Sequence, residues 1–214
     1  EEAVTTGTLT CFFNTGQSCD APTRMLVPAA LHDEAVTIAV RAAQSVVIGD
    51  PLDEATTMGP VVSKVQFDRI QQLIQQGIDE DCELACGGTG KPNHLDIGYF
   101  VQPTIFANVS NSDTIAQQEI FGPVLAIIPY QDEAEAVRIA NDSLYGLSGY
   151  VWGSEEKAIA IARKMRTGMV LLNGEEGDYT APFGGYKQSG NGREFGRYGF
   201  EEFLETKAVM GIQQ

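Results

Sequence analysis

Residues 124–172, VLAIIPYQDEAEAVRIANDSLYGLSGYVWGSEEKAIAIARKMRTGMVLL, decide the fold class because strand patterns and helix patterns alternate along them. Val124–Tyr130 is an apolar run of strand length, and the spacing of apolar residues in Glu133–Asn141 predicts an amphipathic helix. The alternation then continues with a strand at 147–152, a helix at 154–166 with Ser154 as N-cap, and a strand at 169–172. Such alternation predicts a mostly parallel sheet with helices on both faces.

The segments on either side extend this pattern. Upstream, the sequence predicts strands at 24–28 and 101–109 and helices at 31–47 and 63–78, with Val65 among the inward residues of the second helix. Downstream, a long glycine-rich stretch from 173 to 199 is too irregular for a helix or strand, and long ordered loops often form binding surfaces. A short helix at 199–204 and a half-apolar terminal strand at 205–212 follow. The expected fold is a three-layer αβα domain with a mostly parallel sheet, plus a C-terminal oligomerisation strand.

Composition and charge exclude several classes of function. Lys and Arg number 14 against 29 Asp and Glu, a net charge of −15, and such a surface repels nucleic acid and anionic membrane surfaces. No apolar run approaches the roughly 20 residues of a membrane-spanning helix. The four cysteines are too few for a stapled secreted domain, and neither histidine is placed to complete a metal site with them, so we expect reduced thiols, a cytoplasmic location and no metal.

Neither glycine-rich candidate for a phosphate-binding loop satisfies its motif. Ala85 stands where a P-loop needs its first glycine, and Pro92 follows Lys91 where the motif requires Ser or Thr. The spacing Gly190-x-Gly192-x-x-x-Gly196 is one residue too long for the dinucleotide fingerprint and does not directly follow a strand. The sequence therefore contains no self-sufficient nucleotide-binding loop.

Cys19 is the candidate nucleophile. It lies in a turn of small residues between a helix-like segment and a strand, where Gly16 and Ser18 leave room for a substrate. A nucleophilic thiol needs exposure and donors for a developing oxyanion, and the backbone N–H of Cys19 can itself be one donor. A free thiol is only a few per cent ionised at pH 7, so some activation is required. From the residues alone, a buried and inert cysteine remains an alternative.

Three motifs carry a resemblance to a known family. Residues 13–24, FNTGQSCDAPTR, resemble the active-site cysteine signature of the aldehyde dehydrogenase superfamily. Residues 119–124, EIFGPV, resemble its cofactor-contact motif, and residues 182–196, PFGGYKQSGNGREFG, resemble its C-terminal glycine-rich motif. Residues 59–63, GPVVS, also match. The motifs occur in the family's order, and the resemblance covers essentially the whole chain.

The resemblance implies roles for five residues. Cys19 would attack an aldehyde to give a thiohemiacetal and then a thioester that water hydrolyses to the carboxylic acid. Glu119 would accept hydrogen bonds from the nicotinamide ribose of NAD or NADP, and Phe121 would pack near the nicotinamide. Gln66 and Arg69 resemble positions near the other ribose, although the polar face of an amphipathic helix would carry such residues in any case.

The resemblance also implies a domain division. Residues 1–204 would form the catalytic thiol domain and residues 205–214 an oligomerisation strand that gives homodimers or homotetramers. The N-terminal dinucleotide-binding domain, with the family's general-base glutamate and oxyanion-stabilising asparagine, would lie outside this chain, so we expect the chain alone to be inactive as a dehydrogenase.

Alternatives to this reading remain open. An acylating relative would pass the acyl group to coenzyme A, and another relative would reduce an acyl phosphate, which these motifs fit less well. A naturally truncated chain would serve a structural or binding role. Glu175, Glu176 and Asp178 near the expected aldehyde entrance, with Asp20 after the nucleophile, would disfavour anionic aldehydes. A solvent-facing acidic loop is the alternative interpretation of that segment.

Overall fold

The computed structural model describes residues 1–211 and has an α/β architecture. Its helices and strands, in chain order, are α1 (Glu2–Phe12), β1 (Arg24–Pro28), α2 (His32–Gln44), α3 (Lys64–Asp79), β2 (Glu83–Cys86), β3 (Thr104–Ala107), α4 (Thr114–Gln117), β4 (Val124–Tyr130), α5 (Glu133–Asn141), β5 (Ser148–Val151), α6 (Glu155–Ala162), β6 (Met169–Leu172) and α7 (Gly196–Glu201). Short 3₁₀ turns lie at Phe13–Gly16, Ala29–Leu31 and Lys187–Ser189.

The strands form two sheets. The larger has the order β1-β4-β3-β2, in which β4 pairs in parallel with both β1 and β3 and only the edge strand β2 is antiparallel. The smaller sheet consists of β5 and β6, paired in parallel from Ser148↔Met169 to Val151↔Leu172. The prediction of an α/β fold with mostly parallel strands is therefore confirmed.

The period of two along β4 divides the core of the larger sheet into two layers. Val124, Ala126 and Ile128 pack with Ile70 and Ile74 of α3 on one face. On the other face, the intervening side chains of β4 pack with residues of α1 and α2; this second cluster includes Leu125, Ile127, Cys11, Phe12, Ala35, Ala39 and Ala43. Because helices cover both faces of this sheet, its central strands are apolar on both sides.

Capping side chains fix where two of the helices begin. The Ser63 hydroxyl accepts the backbone N–H of Gln66 at the start of α3, and the Asp132 carboxylate accepts that of Glu135 at the start of α5. Ser154 occupies the N-cap position of α6, as predicted, but its side chain makes no capping hydrogen bond.

The structure corrects several details of the sequence prediction. Val65 is 79% exposed, so it does not face the core as expected. Six predicted elements have different bounds, namely α2, α3, β3, β5, α6 and α7. The strand β2 and the four-residue helix α4 were not predicted. None of the helices in residues 1–211 is long and apolar enough to cross a bilayer.

The terminal strand stays a prediction. Residues 205–211 are exposed and pair with no other strand of the described chain, and Ile212 lies outside the described residues. Phe203 and Met210, both 88% exposed, belong to this end of the chain.

Candidate active site

Cys19 lies in a tight turn between the 3₁₀ segment that follows α1 and the start of β1. The N–H of Ala21 donates to the carbonyl of Ser18 over 3.2 Å, so Cys19 and Asp20 occupy the two central positions of the turn. The Cys19 side chain is exposed, whereas Cys11 is buried and the other two cysteines are partly buried. The thiol predicted as nucleophile is therefore the most accessible of the four.

The backbone before the turn is held in an unusual conformation. Asn14, Thr15 and Gly16 are consecutive residues in the left-handed region, with φ of 49°, 61° and 70°. A Cβ on Gly16 would lie 2.1 Å from the carbonyl oxygen of Gly122, so only glycine permits this approach. The cysteine motif and the 119–124 motif are thus in direct backbone contact.

Two side-chain hydrogen bonds join the same segment to residues 59–62. The Thr15 hydroxyl donates to the carbonyl of Gly59 over 3.0 Å. The Gln17 side-chain oxygen accepts the N–H of Val62 over 2.8 Å. Three of the four stretches that carried the family resemblance therefore meet around the loop that leads to Cys19.

The charges around the sulfur oppose its ionisation. Partial burial raises the pKa of the Cys19 thiol, and so does the neighbouring carboxylate of Asp20. The backbone N–H groups of Cys19 and Asp20 act in the other direction, because both stabilise the thiolate. The Glu119 carboxylate is close enough to raise this pKa further. Two backbone amides of the turn therefore favour the thiolate, while burial and two carboxylates disfavour it.

Glu119 and Phe121 lie on the segment that contacts Gly16. Glu119 is exposed, and its carboxylate accepts no hydrogen bond from residues 1–211. Phe121 is half-buried and has a φ of 55°, which is rare for a residue with a Cβ. A free carboxylate next to the thiol fits the hydroxyl pair of a ribose, since it can accept two donors at once.

Gln66 and Arg69 support this segment from α3. The amide nitrogen of Gln66 donates to the carbonyls of Ile120 and Phe121 over 3.0 and 2.8 Å. The Arg69 guanidinium donates to the carbonyl of Ile120 over 2.8 Å. All five predicted site residues thus lie in one region, and these two hold the backbone of the cofactor-contact motif.

Two residues that the sequence did not indicate also contact the cysteine turn. The hydroxyls of Ser148 and Tyr150, both on β5, donate to the carbonyl of Asp20. The one feature of the sequence that relates them is their separation by two residues, which places both side chains on the same face of a strand. No local motif links them to a turn more than 120 residues away.

The glycine-rich stretch packs against the smaller sheet. Phe183 and Glu194 form a bridge within it, and the N–H of Tyr186 donates to the carbonyl of Gly146 over 2.7 Å. A Cβ on Gly168 would lie 1.7 Å from the carbonyl oxygen of Gly184, so the stretch follows the sheet at backbone contact distance. The glycines of this stretch permit close packing of the chain against the smaller sheet. A phosphate-binding loop is not needed to explain them.

One cluster of potential metal ligands lies far from the cysteine turn in the sequence. Side-chain atoms of Glu80, Cys82 and Asp113 lie within 4.8 Å of one another. Burial and the hydrogen bond that the thiol donates to Asp113 raise the pKa of Cys82 to about 12. The thiol therefore holds its proton and donates it to Asp113. The Glu80 carboxylate accepts hydrogen bonds from Gln76 and Thr114, which lie outside the cluster.

Comparisons with known proteins agree on one family. The model described as the Aldehyde dehydrogenase family matches residues 1–209. Over 214 residues, the chain is 56% identical to a 3-succinoylsemialdehyde-pyridine dehydrogenase from a Pseudomonas species, covering 100% of this chain and 45% of that protein.

Solved structures give the same result. A mutant of aldehyde dehydrogenase C from Pseudomonas syringae, solved with NAD⁺ and octanal, has a TM-score of 0.96 at 47% identity, covering 97% of this chain and 43% of that one. An aldehyde dehydrogenase from Mycobacterium tuberculosis, solved with NAD⁺, has a TM-score of 0.94 at 45% identity, covering 99% and 44%. The chain spans less than half the length of these relatives.

Proposed function

Because the chain belongs to the aldehyde dehydrogenase family, we propose that it contributes the nucleophilic thiol, Cys19, to the oxidation of an aldehyde to a carboxylic acid. The observation that carries the proposal is the geometry of the cysteine turn. An exposed thiol lies at the centre of a tight turn, on a loop in backbone contact with the 119–124 motif, and the backbone N–H groups of the turn favour its thiolate. A thiol with only a packing role needs neither exposure nor donors.

The chemistry at Cys19 begins when its sulfur forms a bond to the aldehyde carbon. The thiol proton passes to water, and the electron pair of the carbonyl bond moves onto oxygen to give the oxyanion of a thiohemiacetal. The N–H of Cys19 would donate to this oxygen, and such a donor stabilises charge that appears only during the reaction. Oxidation of the thiohemiacetal gives a thioester, and water then adds to the thioester carbon and releases the acid and the free thiol.

NAD or NADP, when bound, would supply the acceptor for the hydride. Glu119 would accept hydrogen bonds from the ribose hydroxyls, and Phe121 would provide an apolar surface beside it. Gln66 and Arg69, which bond to the backbone between these two residues, would keep both in place. These assignments are what the family resemblance implies, and the effect of the Glu119 carboxylate on the thiol supports them.

The substrate proposed is an uncharged aldehyde. Asp20 and Glu119 both raise the pKa of the thiol, so both carboxylates would also repel an anionic substrate. The family resemblance implies that the glycine-rich stretch lines the aldehyde entrance, and its exposed Glu175 and Glu176 would then repel an anionic substrate as well. The relatives named above act on 3-succinoylsemialdehyde-pyridine or are solved with octanal, and an aldehyde panel that includes acid semialdehydes tests the proposal for this chain.

Residues 205–214 are proposed to pair with another copy of the chain and to give a homodimer or homotetramer. The exposed apolar side chains at this end and the unpaired backbone of 205–211 support the proposal. The need to keep the Cys19 thiol reduced supports a cytoplasmic location.

The proposal for Cys19 is tested by site-resolved alkylation. With limiting iodoacetamide at about pH 8, peptide mapping by mass spectrometry should show Cys19 modified first, because its side chain is exposed. Cys11 is buried, and the pKa values of Cys11 and Cys82 are raised to about 12, so both should react slowly. Modification of another cysteine ahead of Cys19 contradicts the proposal.

Catalysis provides the second test. Without further residues, the chain should produce no NADH with any aldehyde of the panel, since its sequence contains no dinucleotide fingerprint. In a protein of the relatives' full length that carries these residues, Cys19→Ala should lower kcat at least about 10⁴-fold. The product of that protein, a free acid or a coenzyme A ester, separates the hydrolytic reaction from the acylating alternative.

A further inference from the structure

The smaller sheet reaches the cysteine turn through two hydroxyl groups. The Tyr150 hydroxyl donates to the carbonyl oxygen of Asp20 over 3.0 Å, and the Ser148 hydroxyl donates to the same oxygen over 3.1 Å. A carbonyl oxygen has two lone pairs, so the two donors satisfy it completely. Both hydroxyls come from β5, which belongs to a different sheet from β1, the strand that follows the turn.

The geometry of β5 explains why both side chains reach one atom. Residues two apart on a strand point to the same face, and Gly149 between them points the other way. A Cβ on Gly149 would lie 2.3 Å from the methyl group of Met165. The opposite face of β5 therefore packs against the segment that connects α6 to β6. The pair Ser148 and Tyr150 is therefore presented to the turn by the regular alternation of the strand.

The peptide group held in this way controls the orientation of the turn. The carbonyl of Asp20 is bonded to β5, and the N–H of the same peptide group, on Ala21, donates to the carbonyl of Ser18. With that peptide fixed at both ends, the two preceding peptide groups have little freedom to rotate. Their N–H groups belong to Cys19 and Asp20, the two amides that stabilise the thiolate.

We propose that Tyr150 and Ser148 are positioning residues that orient the Cys19 turn, so that its backbone N–H groups point at the sulfur and at the oxyanion formed when an aldehyde is attacked. This inference rests on the proposed function, since it assigns a purpose to the pair only if Cys19 is the nucleophile. Neither residue touches the substrate in this role. Both act through the carbonyl of Asp20.

The ionisable groups that face Cys19 come from three parts of the chain. Asp20 belongs to the turn, Glu119 to the segment before β4, and Tyr150 to β5. Burial and the charges of Asp20 and Cys19 raise the pKa of Tyr150 to about 12, although the neighbouring Ser148 hydroxyl acts in the opposite direction. Tyr150 therefore stays protonated, and remains a donor, at neutral and mildly alkaline pH.

The test measures the alkylation rate of Cys19 in the 214-residue chain against pH, from about 7 to about 11. Tyr150→Phe removes one donor and conserves the ring. We expect alkylation at a pH below the midpoint of the profile to slow about three- to tenfold, the range that the loss of one net hydrogen bond gives. Rates on the fully ionised plateau should stay unchanged, because the exposure of the sulfur does not change.

A double variant and a matched control complete the design. Ser148→Ala/Tyr150→Phe should slow the reaction more than either single change, because the carbonyl of Asp20 then loses both donors. Tyr130→Phe removes a hydroxyl at the far end of β4 that makes no hydrogen bond with the described residues, and it should leave the Cys19 profile unchanged. Thermal unfolding of each variant shows whether the fold is intact, and Ser148→Ala, the smaller change, carries the test if Tyr150→Phe does not fold.

The outcomes separate this inference from the proposed function. If Cys19 in the unmodified chain is not the first cysteine alkylated, the proposed function fails. If Cys19 reacts first but both single variants and the double variant keep its pH profile, the positioning role is wrong. A lowered melting temperature with an unchanged profile would assign the two hydroxyls to stability alone and would equally overturn the inference.

Discussion

Gly16→Ala is the substitution that most directly probes how the active-site loop is assembled. A Cβ at this position would lie 2.1 Å from the carbonyl oxygen and 2.2 Å from the carbonyl carbon of Gly122. Since both are backbone atoms, no side-chain rotation can relieve the overlap. Either the cysteine loop or the 119–122 segment has to move.

Two effects contribute to the expected loss of stability. The φ of 70° at Gly16 costs an alanine about 1–2 kcal/mol. Overpacking against the backbone adds about 1–3 kcal/mol. The sum, about 2–5 kcal/mol, is a large part of the roughly 5–15 kcal/mol that stabilises a typical domain. In urea unfolding this corresponds to a fall in midpoint of about 1 M for a slope of about 3 kcal/mol per M.

Gly90→Ala separates the two effects. Gly90 also has a positive φ, 91°, but a Cβ there would meet nothing within 4 Å. This control should lose only the conformational contribution of about 1–2 kcal/mol. If both substitutions lower the urea midpoint equally, the close approach of Gly16 to Gly122 does not constrain the loop. The inference that the cysteine motif and the 119–124 motif hold each other in place is then refuted.

Three further predictions concern the surroundings of the loop. Glu119→Gln removes a charge that raises the pKa of Cys19, so alkylation of Cys19 at a pH below that pKa should become at least about twofold faster. An unchanged rate would show that the charge does not reach the sulfur. Gln66→Ala removes two hydrogen bonds to backbone carbonyls of the 119–122 segment and should lower the free energy of unfolding, measured by urea titration, by about 1–3 kcal/mol. A change below about 0.5 kcal/mol would mean that water replaces the amide as the donor to these carbonyls. Deletion of residues 205–214 should shift the chain towards monomer in sedimentation velocity over a concentration series; an unchanged mass with a lower melting temperature would show that the tail stabilises its own subunit instead.

The elements predicted correctly are those with a clear apolar pattern. Val124–Tyr130 and Glu133–Asn141 have the predicted bounds, because a fully buried central strand and an amphipathic helix both have unambiguous periods. The strand β2 was missed because it is a short edge strand with a bulge between Leu84 and Cys86, and exposed residues interrupt its pattern. Val65 was assigned to the core because an apolar residue in the first turn of a helix has too few neighbours in sequence to fix its face.

The site could be predicted only where its chemistry is local. Cys19 and the glycine that precedes it form one continuous motif, so both were recognised from the sequence. The bond from Tyr150 to Asp20 joins residues 130 positions apart, and nothing near Tyr150 in the sequence distinguishes it from a residue of the core. Likewise, the family resemblance implied a ligand role for Gln66, and the polar face of α3 offered solvent exposure as the alternative. Only the tertiary structure shows which carbonyls its amide serves.

The electrostatics of the turn suggest how one set of donors serves two stages of the reaction. Within residues 1–211, burial and two carboxylates oppose the thiolate, and the backbone N–H groups of Cys19 and Asp20 are its local support. When sulfur bonds to the aldehyde carbon, its negative charge passes to the carbonyl oxygen, and the sulfur no longer needs these donors. In the proposed reaction, the amide of Cys19 would then be free for the oxyanion formed beside it, without any movement of the backbone. Donors fixed in advance are effective because they require no reorganisation as the charge moves. A turn held rigidly from the second sheet is therefore more useful to this reaction than a lowered thiol pKa alone, since a more stable thiolate is also a weaker nucleophile.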